Sequence, residues 1–179
     1  MIEMQINDSQ LSSIISSLGK LKIAFQEEPP KMIDKLADAY RKSLIYNITS
    51  QVYSGTYDPL SPLYQKWKDE HGGEKGFWML WKSLIDSISI VGVSNDKSVG
   101  VDKGAMPSKG SSMFGGSGIT PVWIYALSNE FGRKAFSKGK VSIGAIKERP
   151  LFRPSFNDFR IKQWPEIVQQ TFLNIVRNW

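Results

Sequence analysis

The clearest hydrophobic pattern in the chain is an amphipathic stripe that follows Pro29-Pro30. Its apolar residues recur every three or four positions, which is the repeat of one helix face. These residues are Ile33, Leu36, Tyr40, Leu44, Ile48 and Val52. Because proline is tolerated in a first helical turn, the Pro-Pro pair can open this helix. A shorter stripe over residues 11–18 predicts a separate first helix, capped by Asp8 or Ser9 and ended by Gly19.

Further segments also carry helical patterns. Ser61 before Pro62 is a capping residue followed by a first-turn proline, and it predicts a short helix. Apolar spacing predicts helices over residues 77–87 and over Pro121–Gly132. A final helix is predicted, in which Pro165 begins the main segment or introduces a kink. Its apolar residues are Ile161, Trp164, Val168, Phe172, Ile175 and Trp179.

A few short segments have the alternating pattern of strands. Ser87–Val93 alternates, a shorter run (SVGVDKG) follows it, and Asn95-Asp96-Lys97 predicts a hairpin turn between them. The stretch KVSIGAI, residues 140–146, predicts one more strand. The sequence therefore predicts an α+β fold with long helices packed on a small antiparallel sheet.

A glycine- and serine-rich stretch, Gly104–Gly118, interrupts these elements. It contains five glycines and four serines, so the entropy of its backbone predicts a long flexible internal loop. An internal loop of this length is usually functional or disordered. Met113 and Phe114 lie at its centre and are candidates to anchor the loop to a partner.

The length and composition fit one folded domain. The chain has 179 residues, of which 41% are hydrophobic, and this is ample for a buried core. We expect a single domain over residues 1–179, with an N-terminal helical part (1–57) and a second part (58–179) that holds the sheet, the loop and the C-terminal helix. A signal-peptide pattern and an apolar run of about 18 residues are both missing, so we expect production in the cytoplasm and no membrane contact.

The residue types that build most enzyme sites are scarce. The chain has no cysteine and one histidine, His71, which excludes thiol chemistry and histidine-rich metal sites. Asp69 and Glu70 adjoin His71, but adjacent helical residues point to different faces, so a hydrolase built on them is a minor alternative. The GGSG sequence at Gly115–Gly118 lacks the lysine of a phosphate-binding loop. We therefore expect no enzymatic activity and no cofactor or metal.

Positive charge is concentrated in the C-terminal half. Residues 1–96 carry 10 Lys+Arg and 12 Asp+Glu, a net of −2, whereas residues 97–179 carry 13 and 5, a net of +8; together they make the chain's +6. A basic half favours an acidic partner, either DNA or a protein surface, although a solvated basic face is equally compatible. The candidate contacts are Arg133, Lys134, Lys138 and Lys140. A small basic nucleic-acid-binding module without catalysis is thus one functional alternative.

The sequence KERPLFRPSF, Lys147–Phe156, contains two Arg-Pro steps. Proline fixes its own backbone and restricts the preceding residue to extended geometry. The segment therefore predicts a rigid elbow between a strand and the final helix, with Pro154 as the first helical residue. Two interpretations stay open: Arg149 and Arg153 contact a partner, or they pair with nearby carboxylates in an ordinary stiff connection.

Three segments in a fixed order resemble one known family. They are LWKSLIDSISI (Leu80–Ile90), WIYALSNEFG (Trp123–Gly132) and the elbow KERPLFRPSF. This order resembles the tail-completion and head–tail joining (neck) proteins of long-tailed bacteriophages, within the phage virion morphogenesis group. The resemblance covers roughly residues 59–179, and Lys147 stands where the family usually has proline. The matching positions are Tyr125, Ala126, Glu130, Phe131, Gly132, Arg149, Pro150 and Phe152.

The resemblance implies a structural role in the virion. Such proteins form a ring at the portal–tail junction, and genomic DNA passes through its lumen without sequence-specific contacts. We expect a homo-oligomeric ring, hexameric or dodecameric, that contacts a portal or adaptor protein and a tail terminator or tail tube protein. The expected interface residues are Arg149, Pro150, Phe152, Arg153, Glu130, Phe131, Gly132, Met113 and Phe114.

Overall fold

The computed structural model describes residues 8–70, 83–93, 95–106, 121–134, 136–138, 141–143, 145 and 147–177. Within these residues the chain forms helices and short antiparallel strands, so the predicted α+β class is confirmed. The elements, in chain order, are α1 (Asp8–Thr49), α2 (Pro62–Glu70), α3 (Ser83–Asp86), β1 (Ile88–Val93), β2 (Asp96–Val101), α4 (Val122–Glu130), β3 (Phe136–Lys138), β4 (Val141–Ile143), α5 (Phe152–Lys162) and α6 (Trp164–Arg177).

The N-terminal region is one helix rather than two. Helix α1 has 42 residues and contains Gly19 and both prolines of Pro29-Pro30; at 1.5 Å per residue it is roughly 63 Å long. The prediction of a break was wrong because packing overrides the local cost of proline, about 3 kcal/mol in a helix interior. Helices α5 and α6 lie along α1 on both sides of the prolines: Phe159 packs against Tyr40, and Asn174 hydrogen-bonds to Glu28.

The strands form two separate hairpins. In the first, β1 pairs with β2 from Ile88↔Val101 to Val93↔Asp96. Asp96 is thus already paired, so the predicted turn at residues 95–97 lies one to two residues too late. In the second, β3 pairs with β4, and in the described residues each hairpin is its own two-stranded sheet. The expected single sheet is therefore divided, with the helices supplying most of the core.

One buried apolar cluster joins segments that are distant in the sequence. It is built from α1, α3, β1, α4 and the elbow, and its members are Leu44, Ile48, Leu84, Ile88, Val122, Ala126 and Leu151. Fully burying a side chain of this size contributes about 1.5–3 kcal/mol relative to leaving it exposed. The predicted N-terminal part and second part thus share a core. The division into 1–57 and 58–179 stays a prediction.

Helix ends differ slightly from their predicted positions. Helix α4 begins at Val122, with Pro121 as its capping residue, and Gly132 beyond its end adopts a φ of 70°. Helix α5 begins at Phe152, two residues before the predicted start at Pro154. Helix α6 begins at Trp164, so Pro165 lies in its first turn, which is the first of the two alternatives for this proline. Residues 77–82 of the predicted middle helix, and residues 107–118 of the predicted loop, lie outside the described residues.

Candidate functional site

A single buried carboxylate joins the end of α4 to the start of α5. Glu130 is only 4% exposed. Its Oε2 accepts the backbone N–H groups of Leu151 at 2.6 Å and Phe152 at 3.0 Å. Its Oε1 accepts the backbone N–H of Arg153 at 3.1 Å. The first N–H groups of a helix have no partner within the helix, so Glu130 supplies acceptors that α5 lacks. Its negative charge also lies at the positive end of the helix dipole.

The Glu130 carboxylate explains why α5 starts earlier than the sequence predicts. Proline lacks an N–H and is therefore favoured where that group would have no partner, which placed Pro154 at the predicted first position. In the structure Pro154 is the third residue of the helix, still within the first turn. Because Glu130 provides acceptors for the amides of residues 151–153, the helix extends two residues toward its N-terminus.

The elbow is held to α1 and to the segment after it by tyrosine hydroxyls. Tyr40 Oη donates to the carbonyl oxygen of Phe152 at 3.2 Å, and Tyr57 Oη donates a short hydrogen bond to the carbonyl of Pro150. Burial, and then the nearby charge of Glu130, raise the pKa of Tyr40 to about 12. Its hydroxyl is therefore a neutral donor at physiological pH.

Side-chain contacts extend this attachment along α5. The buried Asn47 donates from Nδ2 to Ser155 Oγ at 2.9 Å. Tyr53 Oη donates to Asp158 Oδ2 at 2.8 Å. Burial, and next the hydrogen bond to Asp158, raise the pKa of Tyr53 to about 12. These contacts hold α5 in one direction relative to the elbow, which the two Arg-Pro steps predicted to be a rigid link.

Ion pairs also connect the basic elbow to acidic neighbours. Lys147 Nζ lies 2.6 Å from Asp58 Oδ2, and this hydrogen bond and charge hold the pKa of Asp58 below its ordinary value. Arg149 donates its backbone N–H to the carbonyl of Asn129 at 2.6 Å. These contacts attach the elbow to the rest of the chain, and the contact of the Arg149 side chain with a partner stays a prediction.

An arginine and a phenylalanine form an exposed pair above the buried carboxylate. Arg153 Nε lies 3.5 Å from Glu130 Oε1, and Arg153 Nη2 lies 4.0 Å from a carboxylate oxygen of Glu148. The guanidinium carbon is 5.4 Å from the centre of the Phe131 ring, within the range of a cation–π contact. The Arg153 side chain is 60% exposed and Phe131 is 61% exposed. A cation and an apolar ring therefore lie together on the surface.

The structure brings together most of the predicted interface residues. Glu130, Phe131 and Gly132 adjoin the elbow residues Arg149, Pro150, Phe152 and Arg153. Of these, Glu130 is buried, Arg149, Pro150 and Phe152 are partly buried, and Phe131 and Arg153 are exposed. Their contact with a partner stays a prediction. Met113 and Phe114 lie outside the described residues.

The predicted basic contacts are less well defined. Lys134 is exposed, and Arg133 is partly buried, which lowers its pKa from the ordinary value. Lys138 lies in β3. Lys140 lies outside the described residues. Among the four predicted contacts, the described residues thus place Lys134 on the surface.

The acidic residues of the minor hydrolase alternative contact their own helix. Asp69 accepts from Gln65 at 2.9 Å, and Glu70 lies 3.8 Å from Lys66 Nζ. His71 lies outside the described residues. Among the residues that are described, no group of three or more His, Cys, Asp or Glu side chains is placed to hold a metal ion. In the same part of the chain, no helix combines the length and apolar character needed to cross a membrane.

Sequence reasoning missed the polar residues that hold the elbow from α1. Tyr40 was counted as one of the apolar residues of the helix face, and its hydroxyl contact spans 112 positions in the sequence. Asn47 had a detectable signal, since it is a polar residue between Leu44 and Ile48 on an otherwise apolar stretch. Tyr57 follows the helix and carries no local pattern that indicates its contact with Pro150.

The chain matches no family model, and comparisons with curated proteins and with solved structures also find no match. The resemblance to neck proteins therefore depends on the three quoted segments and on how the structure arranges them.

Proposed function

We propose that the protein is a structural subunit of a bacteriophage neck, a tail-completion or head–tail joining protein that forms a ring at the portal–tail junction. The observation that carries the proposal is the meeting of the three family-like segments in one folded unit. Leu84 and Ile88 of the first, Ala126 of the second and Leu151 of the third belong to the same buried cluster. The three segments therefore belong to one folded unit, as a shared set of family motifs requires.

The buried Glu130 strengthens this argument. It is the glutamate of the family-like helix end, and all three of its backbone partners lie in the family-like elbow. The two motifs, about 20 residues apart, are therefore joined by the hydrogen bonds of one side chain. These bonds hold the backbone on which Phe131 and Arg153 are exposed.

The exposed pair has the chemistry of a protein contact. Arginine and aromatic residues are enriched at energetically important interface positions. A guanidinium has five N–H donors, and the ion pairs of Arg153 involve only Nε and one Nη. Since the backbone beneath is rigid, binding orders few additional groups and loses little entropy. We propose that this pair contacts an acidic surface of a portal, adaptor or tail protein.

The nucleic-acid-binding alternative has weaker support. Several cations of the basic half lie in ion pairs with carboxylates of the chain, and these pairs are Lys97–Asp34, Lys147–Asp58, Arg153–Glu130 and Lys162–Asp158. Such pairing reduces the positive electrostatic potential that the protein surface presents to the phosphates of DNA. Contact with DNA inside a ring lumen needs no sequence-specific site and is compatible with both interpretations.

The test is attachment to virion parts. The purified chain is incubated with DNA-filled heads, and separately with tails, from the phage that encodes it, and bound protein is measured by co-sedimentation. We expect attachment to at least one particle, with loss of attachment in Arg153→Ala. Arg160→Ala is the matched control, because Arg160 is also an exposed arginine on α5. Circular dichroism checks that both variants keep the fold.

A folded wild-type chain that attaches to neither heads nor tails would overturn the proposed function. Equal attachment by Arg153→Ala and Arg160→Ala would overturn the proposed contact of the exposed pair and leave the function standing. If particle binding is missing but short duplex DNA binds with a steep dependence on salt, the nucleic-acid module becomes the better interpretation.

A further inference from the structure

The first part of α1 carries an apolar stripe that no described residue covers. Its members recur at intervals of three, four and seven residues, the spacing of a helix-pairing seam. They are Leu11, Ile14, Ile15 and Leu18, each at least half exposed. We call them the arm stripe. The last residue of α6, Arg177, lies beside Lys20 and Ala24, so residues 8–19 extend roughly 18 Å beyond it at 1.5 Å per residue.

Helix α6 of the same copy cannot cover the arm stripe. It packs near Ala24, which is buried, and Asn174 hydrogen-bonds to Glu28. With 3.6 residues per turn, Ala24 lies about 120° around the helix from Leu18, whereas Leu11 lies about 20° from it. The face that α6 occupies and the arm stripe therefore point in different directions.

A second apolar stripe lies on the outer face of α6. Val168, Phe172 and Val176 recur every four residues and are exposed by 38%, 60% and 46%. The inner face of the same helix buries Thr171 and Ile175. We call the three exposed residues the α6 stripe. Its length, about 12 Å along the helix, is close to the roughly 11 Å from Leu11 to Leu18.

Both stripes lie in segments without charged residues. Ser9–Gly19 and Ile167–Val176 contain no Asp, Glu, Lys or Arg, although 22% of the chain is charged. Depletion of charge is typical of the centre of a protein interface, and contiguous exposed apolar patches mark interaction sites. A partner with matching chemistry must itself be apolar and free of charge, and each stripe has these properties toward the other.

We propose that the arm stripe of one copy packs on the α6 stripe of the next copy. One such contact covers both apolar surfaces, whereas pairing of two arm stripes would leave Phe172 and its neighbours in water. A contact between two different patches is heterologous, so it repeats from copy to copy and closes into a ring when the rotation allows. The closure of this contact into a ring rests on the proposed neck function, whereas the contact between two copies is independent of that function.

Single introduced thiols test the contact, because the chain has no cysteine of its own. Ile14→Cys chains and Phe172→Cys chains are mixed and treated with a short bismaleimide. We expect a covalent dimer that contains one chain of each kind, identified by mass, and little dimer from either variant alone. The matched control is Val93→Cys mixed with Phe172→Cys, since Val93 on β1 is 76% exposed and belongs to neither stripe.

Two outcomes overturn the proposal. Cross-linking of Ile14→Cys with itself would show that the arms pair with each other. A yield in the mixture no higher than in the Val93→Cys control would show that the stripes do not meet.

Sedimentation provides an independent readout of the same contact. Ile14→Glu and Phe172→Glu should each weaken self-association at least about tenfold, because each places a charge in an apolar contact. A mixture of the two variants still has one intact arm stripe and one intact α6 stripe, so it should form a one-to-one dimer. Failure of the mixture to associate, with both variants folded by circular dichroism, would contradict the heterologous arrangement.

These results are separable from the neck function. If the copies cross-link as expected and neither heads nor tails bind the chain, the neck function fails and the contact stands. If particles bind and the copies do not cross-link, only the contact fails.

Discussion

Replacing Glu130 by Gln should destabilise the folded chain by about 2 kcal/mol. The substitution keeps one carbonyl oxygen, which can still accept the N–H groups of Leu151 and Phe152. It puts an amide N–H₂ where Oε1 accepts the Arg153 N–H at 3.1 Å, so two donors then face each other. A hydrogen bond to a charged group contributes about 1.5–3 kcal/mol. Water can partly replace this bond, because Arg153 is exposed, which places the expected loss near the middle of that range.

Glu130→Ala should cost more, about 3–5 kcal/mol, because it removes the acceptor of three backbone N–H groups, and each buried donor left without a partner costs about 1–3 kcal/mol. The Leu151 N–H is itself buried, so water cannot take the place of the carboxylate there. Both substitutions remove the negative charge from the start of α5. The difference between Gln and Ala therefore measures the hydrogen bonds that the Gln carbonyl oxygen still accepts.

Urea unfolding measures both changes. Tryptophan fluorescence and circular dichroism give the free energy of unfolding by linear extrapolation, and 2 kcal/mol corresponds to about 4–8 °C in the thermal midpoint of a chain of this size. The control is Glu148→Gln in the same elbow, whose side chain is 67% exposed and 4.0 Å from Arg153. An exposed ion pair contributes about 0–1 kcal/mol. Equal losses for Glu130→Gln and Glu148→Gln would refute the assigned role of the buried carboxylate.

Two further predictions concern the hairpin and the effect of pH. Gly92 has a φ of 117°, and a Cβ there would lie 1.9 Å from the carbonyl oxygen of Asp96. Gly92→Ala should therefore lower the free energy of unfolding by about 2 kcal/mol or more. A Cβ at Gly100 would meet no atom within 4 Å, so Gly100→Ala should lower it clearly less in the same urea assay. The pKa of Tyr53 is raised from 10.0 to about 12 by burial and by its bond to Asp158, so its contribution is complete below pH 10 and is lost as the pH rises from about 10 to 12. The urea midpoint should fall between pH 9 and 11.5, and fall less in Tyr53→Phe; equal falls would assign the effect to other groups.

The elements that depend on local pattern were predictable from the sequence. The alternation in Ser87–Val93 places β1 within one residue of its observed start, and Pro165 marks the start of α6. In both cases the deciding physics, side-chain alternation or the missing proline N–H, acts within a few residues. The hairpin turn was placed late because Asp96 and Lys97 are turn-favouring residues that here pair with β1.

The continuity of α1 could not be predicted from local signals. Pro29-Pro30 and Gly19 are both strong helix-ending signals. What keeps α1 continuous past the prolines is α5 and α6, which come more than 100 residues later. Local helix propensity therefore predicted two helices in this region, whereas tertiary packing produces a single one.

The candidate site was predictable in part. The family-like segments named Glu130, Phe131 and Arg153, but sequence alone left open whether the arginines contact a partner or a carboxylate of the chain. The structure shows that Arg153 contacts Glu130 and remains largely exposed. The contact of Glu130 with three backbone amides had no sequence signal, because it depends on where the fold brings the start of α5.

The two ends of α1 are stabilised in different ways, and the composition of the arm indicates why. Leu44 and Ile48 are fully buried in the core, so the C-terminal part of the helix is stabilised by packing. Residues 11–19 include no buried side chain, and they contain several serines and Gly19, which are weak helix formers. A short helix without packing is marginal in water. The same residues that led to the wrong prediction of a separate helix therefore make this segment a weak helix on its own, and the proposed contact between copies would supply the packing that it lacks.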